Sequence, residues 1–241
     1  MKVRLLILAI GLTAAGCQTT PPLAPGRAGL VVHVLAQPKT GAQPPPQKVA
    51  VFDTPAPQDY GDFAKVDYSD LGQIVVWLEP ENSATELKNR NPVTVDINPS
   101  KTVSGVRHVA SAGEPIVLRN ASASPQTIYS VSDGNDFDFE SVPAGGQVNY
   151  TARSAGLVEI LTNSPSATPV QIYVAPSPWV RLTRSGETFQ FDNLPPGQYR
   201  LVSWHPRLPG SNETVTLTPG HVTDTSIDVS VNSLPKVSGA R

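Results

Sequence analysis

The chain has 241 residues, 39% of them hydrophobic, with 25 prolines and 18 glycines, a mixture that describes a turn-rich folded protein of one or two domains and excludes a disordered chain. Eighteen basic residues against 20 acidic ones give a net charge of −2, without the clustered Lys and Arg that phosphate neutralisation needs, so nucleic acid is excluded as a partner. A single cysteine excludes an internal disulfide and leaves stability to core packing.

The first residues read as a secretory signal over 1–16: Lys2 and Arg4 form a basic end, Leu5 to Leu12 an apolar run, and Ala14, Ala15 and Gly16 the small residues a peptidase accepts. The apolar run is shorter than the roughly 20 residues that span a bilayer. Small residues directly before Cys17 resemble the lipobox of bacterial lipoproteins, although Ala14 stands where leucine is commoner. The resemblance implies cleavage after Gly16, diacylation of Cys17 through its sulfur and a further acyl chain, such as palmitate, on the new amine. Acyl chains bind at about 0.8 kcal/mol per buried methylene, so two or three of them hold a protein on a membrane essentially permanently. In lipoproteins of double-membraned bacteria, a residue such as Gln18 after the cysteine implies the outer membrane, and the expected address is that membrane, facing the periplasm. The competing reading is an ordinary signal with a chance cysteine. Loss of Lys2 and Arg4 takes the basic count from 18 to 16 and the net charge to −4.

Residues 17–28 (CQTTPPLAPGRA) hold little to bury and read as the lipidated cysteine and a flexible spacer. TGAQPPPQ, residues 40–47, reads as a second exposed, polyproline-like stretch. Beyond the spacer, short alternating or β-branched runs recur between turn signals. Strands are expected at 30–35, 48–52, 73–79, 93–97, 106–110, 115–119, 127–132, 147–152, 157–162, 170–174, 180–183, 188–191, 199–204, 213–217 and 225–231. QYRLVSWH alternates most cleanly, with Tyr199, Leu201 and Ser203 on one face and Arg200, Val202 and Trp204 on the other. DLGQ and SATELKNRN have room for a helical turn and nothing longer. The fold class expected is all-β.

TRSGETFQFDNLPPGQYRLVSWH carries turns at Ser185–Gly186 and at Pro195–Gly197, which predicts a three-stranded meander. Phe189, Phe191, Leu194, Pro195, Pro196, Gly197 and Tyr199 resemble the signature of the carboxypeptidase-regulatory, prealbumin-like β-sandwich. The resemblance implies a non-catalytic module serving packing, folding support or partner contact. Its upstream strands correspond to GLVVHVLA and QIVVWLEP within residues 29–91, and the module resumes over 177–232 before a tail at 233–241. Residues 92–176 then form a second sandwich, inserted in the first.

That second region resembles the cupredoxin-like Greek-key domains of periplasmic copper proteins through QTIYSVS (126–132), FDF (137–139), PAGG (143–146) and TNSPSAT (162–168). Gln126, Thr162, Pro165 and Thr168 fall where the family's histidine, cysteine, histidine and methionine ligands stand. Blue copper needs a thiolate with two imidazoles and usually a thioether. The only cysteine is Cys17 and the only methionine is Met1, so the expectation is a sandwich emptied of its metal, with no cofactor.

Other constellations are weaker. His33, His108, His205 and His221 are scattered, and a pair of them with a carboxylate is the residual option for zinc or copper. WHPRLPG places Trp204, His205 and Arg207 together, either as a recognition patch or as packing at a strand end. SDGNDFDFE offers Asp133, Asn135, Asp136, Asp138 and Glu140, but Phe137 and Asp138 break the spacing of a calcium loop, and such a turn between strands is ordinary. Motifs for a nucleophile elbow, a zinc protease or a phosphate loop are missing from the sequence. The expected function is therefore a non-enzymatic, membrane-anchored envelope module with a protein partner. The alternatives are a carbohydrate-binding module stacking sugars on Trp77, Trp179 or Trp204, and a residual metal-binding or electron-transfer accessory.

Overall fold

The computed structural model describes residues 22–38, 68–81, 92–98, 105–164 and 168–231. Expectations that fall on Cys17, Pro165, the proline-rich run 40–47, the strand at 48–52, SATELKNRN and the tail lie outside the described residues. Within them the chain is all-β, without an α-helix, and residues 70–73 form no helical turn.

Two β-sandwiches are present, one inserted in the other. The first pairs β1 (Ala28–Gln37), β12 (Thr188–Leu194) and β15 (Val222–Ser230) in the order β12-β1-β15. Against this sheet packs a second, β11-β2-β13-β14, made of β2 (Ile74–Pro80), β11 (Val180–Thr183), β13 (Gly197–Trp204) and β14 (Asn212–Leu217). Between β2 and β11 in the chain lies the second sandwich. One of its sheets is β3 (Val93–Ile97), β5 (Pro115–Asn120) and β8 (Gln147–Thr151), and the other runs in the order β4-β10-β9-β6-β7. The strands of that larger sheet are β4 (Val106–Ser111), β6 (Gln126–Ser130), β7 (Phe137–Val142), β9 (Gly156–Thr162) and β10 (Val170–Ala175).

Alternation builds both cores. In the first, Leu30, Val32 and Val34 of β1 meet Ile74, Val76 and Leu78 of β2, with Tyr199 and Leu201 of β13 and Ile227 and Val229 of β15 closing the layer. In the second, Ile116 and Leu118 of β5 face Ile128, Ile160, Ile172 and Val174. β13 buries Tyr199, Leu201 and Ser203, while Arg200 is exposed and Val202 and Trp204 are half-buried on the other face, as its period of two predicts.

Three expectations are corrected. The stretch 180–204 is not a meander: β11 lies beside β2, β12 crosses to β1 in the opposite sheet, and β13 returns to β2. The Ser185–Gly186 turn lifts the chain across, with Ser185 N–H donating to Leu71 O and Gly186 N–H to Val34 O, both at 2.8 Å. Phe191 and Leu194 then bury in the core from the opposite layer, and the Tyr199 hydroxyl donates to Pro195 O at 2.8 Å, pinning the corner that brings the chain back. Second, FDFESV is a strand, β7, with Asp138 and Glu140 outward and Phe137 and Phe139 packed on the core. Third, the spacer is shorter than 17–28, because Ala24 N–H donates to Asn193 Oδ1 at 2.8 Å and Gly220 N–H to Arg27 O at 2.8 Å.

Candidate functional site

The feature that organises the molecule is the seam between the sandwiches. β2 reads IVVWL and is buried on both faces: Ile74, Val76 and Leu78 enter the first core, and Val75 and Trp77 point the other way. β10 does the same, sending Ile172 and Val174 into the second core and Tyr173 and Ala175 into the seam. Uninterrupted apolar runs are the sequence signal of strands covered on both sides, and in IVVWL and IYVA that signal marks the seam.

Tyr173 sits at its centre. Its ring centroid lies 4.5 Å from that of Trp204 and 5.6 Å from that of Trp77, both rings tilted against it. Burial raises the Tyr173 phenol to about 12, with the Glu79 carboxylate adding to the effect, so it stays protonated at any physiological pH. Trp77 Nε1–H donates to Glu79 Oε1 at 2.6 Å, and Arg200 pairs with the other carboxylate oxygen. At one end of the seam the Gln73 side chain, on a backbone with φ of 62°, accepts the Val106 N–H at 2.9 Å. It lies over Gly105, where a Cβ would come within 1.9 Å of Gln73 Oε1, so only glycine admits this latch.

Beside the latch opens a cleft of about 300 Å³ whose lining includes Gln73, Arg107, Thr183, Arg184 and Glu187. Most of its polar groups are already paired: Thr183 Oγ1–H donates to Glu187 Oε2 at 2.8 Å, and Arg184 binds Asp70 at 2.8 Å. Among the described residues no imidazole or thiol lines it.

The positions read from the sequence fall as follows. Of Trp204, His205 and Arg207, only Arg207 is exposed; Trp204 stacks in the seam, and His205 is 6% exposed, its Nδ1 accepting the Arg207 N–H at 3.2 Å. Burial and the nearby Arg207 charge lower the His205 pKa, and a hydrogen bond with the Gly72 backbone offsets them in part. All three tryptophans are engaged in packing, Trp179 edge-on against Tyr199 at 5.6 Å. Gln126 at the start of β6, Thr162 at the end of β9 and Thr168 before β10 lie at the same end of the five-stranded sheet. Gln126 is 8% exposed; its Nε2–H donates to Ser124 Oγ at 3.1 Å and its Oε1 is without a partner.

Asn135 has a role the sequence did not disclose. It is 1% exposed, and its Oδ1 accepts the Tyr150 hydroxyl at 2.6 Å and the Arg153 N–H at 2.9 Å, while its Nδ2–H donates to Ser154 O at 2.9 Å. Asp133, Asp136, Asp138 and Glu140 around it are all exposed. Among the described residues no group of three His, Cys, Asp or Glu side chains is arranged to hold a metal ion.

One arrangement is formed only by the fold. His33 on β1 contacts Thr188 Oγ1 through Nδ1 at 2.9 Å and Asp224 through Nε2 at 3.0 Å, linking all three strands of one sheet. The order of hydroxyl, imidazole and carboxylate is that of a nucleophile, base and orienting acid. It lies on an open sheet face, with the His33 and Asp224 side chains 43% and 70% exposed, and so acts as a cross-strand brace.

Among the described residues no helix is long and apolar enough to cross a membrane. The chain matches no protein-family model, no curated protein and no solved structure.

Proposed function

We propose that this protein is an envelope lipoprotein, acylated at Cys17, whose joined sandwiches form a non-catalytic platform for a protein partner and carry no blue copper. The observation that carries this reading is the seam. Trp77, Tyr173 and Trp204 are spent on holding the two sandwiches as one body, which leaves the loops and strand edges as the surfaces open to a partner. The same burial ranks carbohydrate binding lower, because stacking on sugar needs an aromatic face open to solvent and the three tryptophans pack inward. The soft donors of a copper centre are missing from the body of the chain, since the cysteine belongs to the anchor and the methionine to the signal.

The test is intact-mass analysis of the protein from its native membrane, with cross-linking at the exposed loops in the same envelope. The expected mature chain begins at Cys17 with its acyl chains, Cys17→Ser is released from the membrane, and cross-linking gives a discrete adduct. An uncleaved or unacylated Cys17 defeats the anchor, and cupric ion turning the soluble body intensely blue defeats the assignment without copper.

A further inference from the structure

We infer that one end of the first sandwich, built from residues 22–27, 193–197 and 218–222, faces the phospholipid headgroups at close range; this rests on the acylation of Cys17 proposed above. The first ground is reach. Five peptide steps separate Cys17 from Pro22, and a chain of that length extends at most about 18 Å whatever its conformation. From Pro22 onward the chain belongs to the body. Ala24 N–H is bound by Asn193, Arg27 N–H by Ala24 O at 3.0 Å, Arg27 O accepts from Gly220, and Gly29 N–H donates to His221 O at 3.0 Å. Leu23 packs where a Cβ on Gly29 would meet it at 3.4 Å. An acyl group in the bilayer thus draws this end, and not a side of the molecule, down to the surface.

Charge is the second ground. The mature chain is acidic, yet the three segments PLAPGR, NLPPG and TPGHV contain no carboxylate and carry Arg27 and His221; Asp192 and Asp224 flank them in the chain, and Glu81 lies beside the corner through its N–H to Gln198 O at 3.0 Å. An acidic end held within a Debye length of about 8 Å of anionic lipid would be repelled. The apolar content suits the same surface, with Val222 48% exposed and Pro25, Pro196 and Pro219 all exposed. The seam cleft lies at the other end, where Thr183 pairs with Ile74 at the start of β2, while Pro80 at the end of β2 pairs with Tyr199 beside the lipid-facing corner. A partner reaching the cleft therefore comes from the side away from the anchor.

The experiment uses the full acylated protein in phosphatidylethanolamine and phosphatidylglycerol vesicles that carry a headgroup energy acceptor. With Cys17 blocked by lipid, Thr218→Cys or Gln37→Cys supplies one free thiol for a donor dye. The two positions lie at opposite ends of β1, which adds about 30 Å to the height of Gln37. Transfer is expected to be several-fold stronger from position 218 than from 37, and a 20-residue Gly/Ser insertion after Gln18 should reduce that ratio. Equal transfer from both positions in protein that floats with the vesicles overturns the orientation alone, as does a ratio unmoved by the insertion. Protein that lacks acyl chains and fails to float overturns the anchor and the orientation with it.

Discussion

Replacing Tyr173 by alanine tests the claim that the seam makes one body of two sandwiches. The side chain is 7% exposed and contacts Trp77 and Trp204, one from each of two strands of the first sandwich. Truncating a buried aromatic costs about 3 to 5 kcal/mol through lost transfer energy and the cavity left behind, and the two ring pairs, at about 0.5 to 1.5 kcal/mol each, fall within that sum. At about 2 to 4 °C per kcal/mol for a protein of this size, Tyr173→Ala should lower the melting temperature by roughly 6 to 20 °C. Because Tyr173 belongs to neither sandwich's own core, the loss should fall on their coupling. Calorimetry should give one transition for the parent and two for the variant, with each sandwich melting on its own core. A single transition within about 2 °C of the parent would refute the seam as the coupling element.

The acidic run and the buried histidine give two further expectations. Asn135→Ala strips the Tyr150 hydroxyl and the Arg153 N–H of their acceptor and should cost about 2 to 4 kcal/mol in urea unfolding, while Asp138→Asn on the exposed face should stay within about 0.5 kcal/mol; calcium-dependent stability lost in Asp138→Asn would reverse the assignment. Burial lowers the folded-state pKa of His205, so the unfolded chain takes up the proton first, at about 6.5. The stability this neutral side chain contributes is fully present above that pH and is lost as pH falls below it. His205→Gln should flatten the stability profile between pH 7 and 5, and an unchanged slope would show that His205 titrates alike in both states.

Strand positions were legible in the sequence where one face is buried and turns flank the run: Val93–Ile97 and Val180–Thr183 coincide with expectation, and the other expected strands that fall on described residues differ by up to about three residues at their ends. β7 was not, because Asp138 and Glu140 at alternate positions gave FDFESV the composition of a turn while the same alternation turned Phe137 and Phe139 inward. The course of β12 was hidden for a different reason. Period-two patterning tells which face of a strand is buried but not which sheet it joins, and LPPG is compatible with a hairpin as well as with a corner between layers. The partners of His33 were beyond local reading, since Thr188 and Asp224 are 155 and 191 residues away in the chain. Gln126, Thr162 and Thr168 come together at one end of a sheet through strand pairings that composition does not encode, and the buried, unpartnered amide oxygen at Gln126 leaves no trace there either.

The parallel pairing of β1 with β15 gives the chain a fixed order of assembly. Leu30 to His33 find one neighbour on β12, where His33 meets Thr188, and Leu30 to Gln37 find the other at Thr223 to Ser230, so β1 gains its second neighbour only when almost the last described strand has emerged. The inserted sandwich, whose strands are contiguous in the chain, can close earlier. A truncation before Val222 strips β1 of the neighbour along its whole length, and the damage appears at the opposite terminus from the cut.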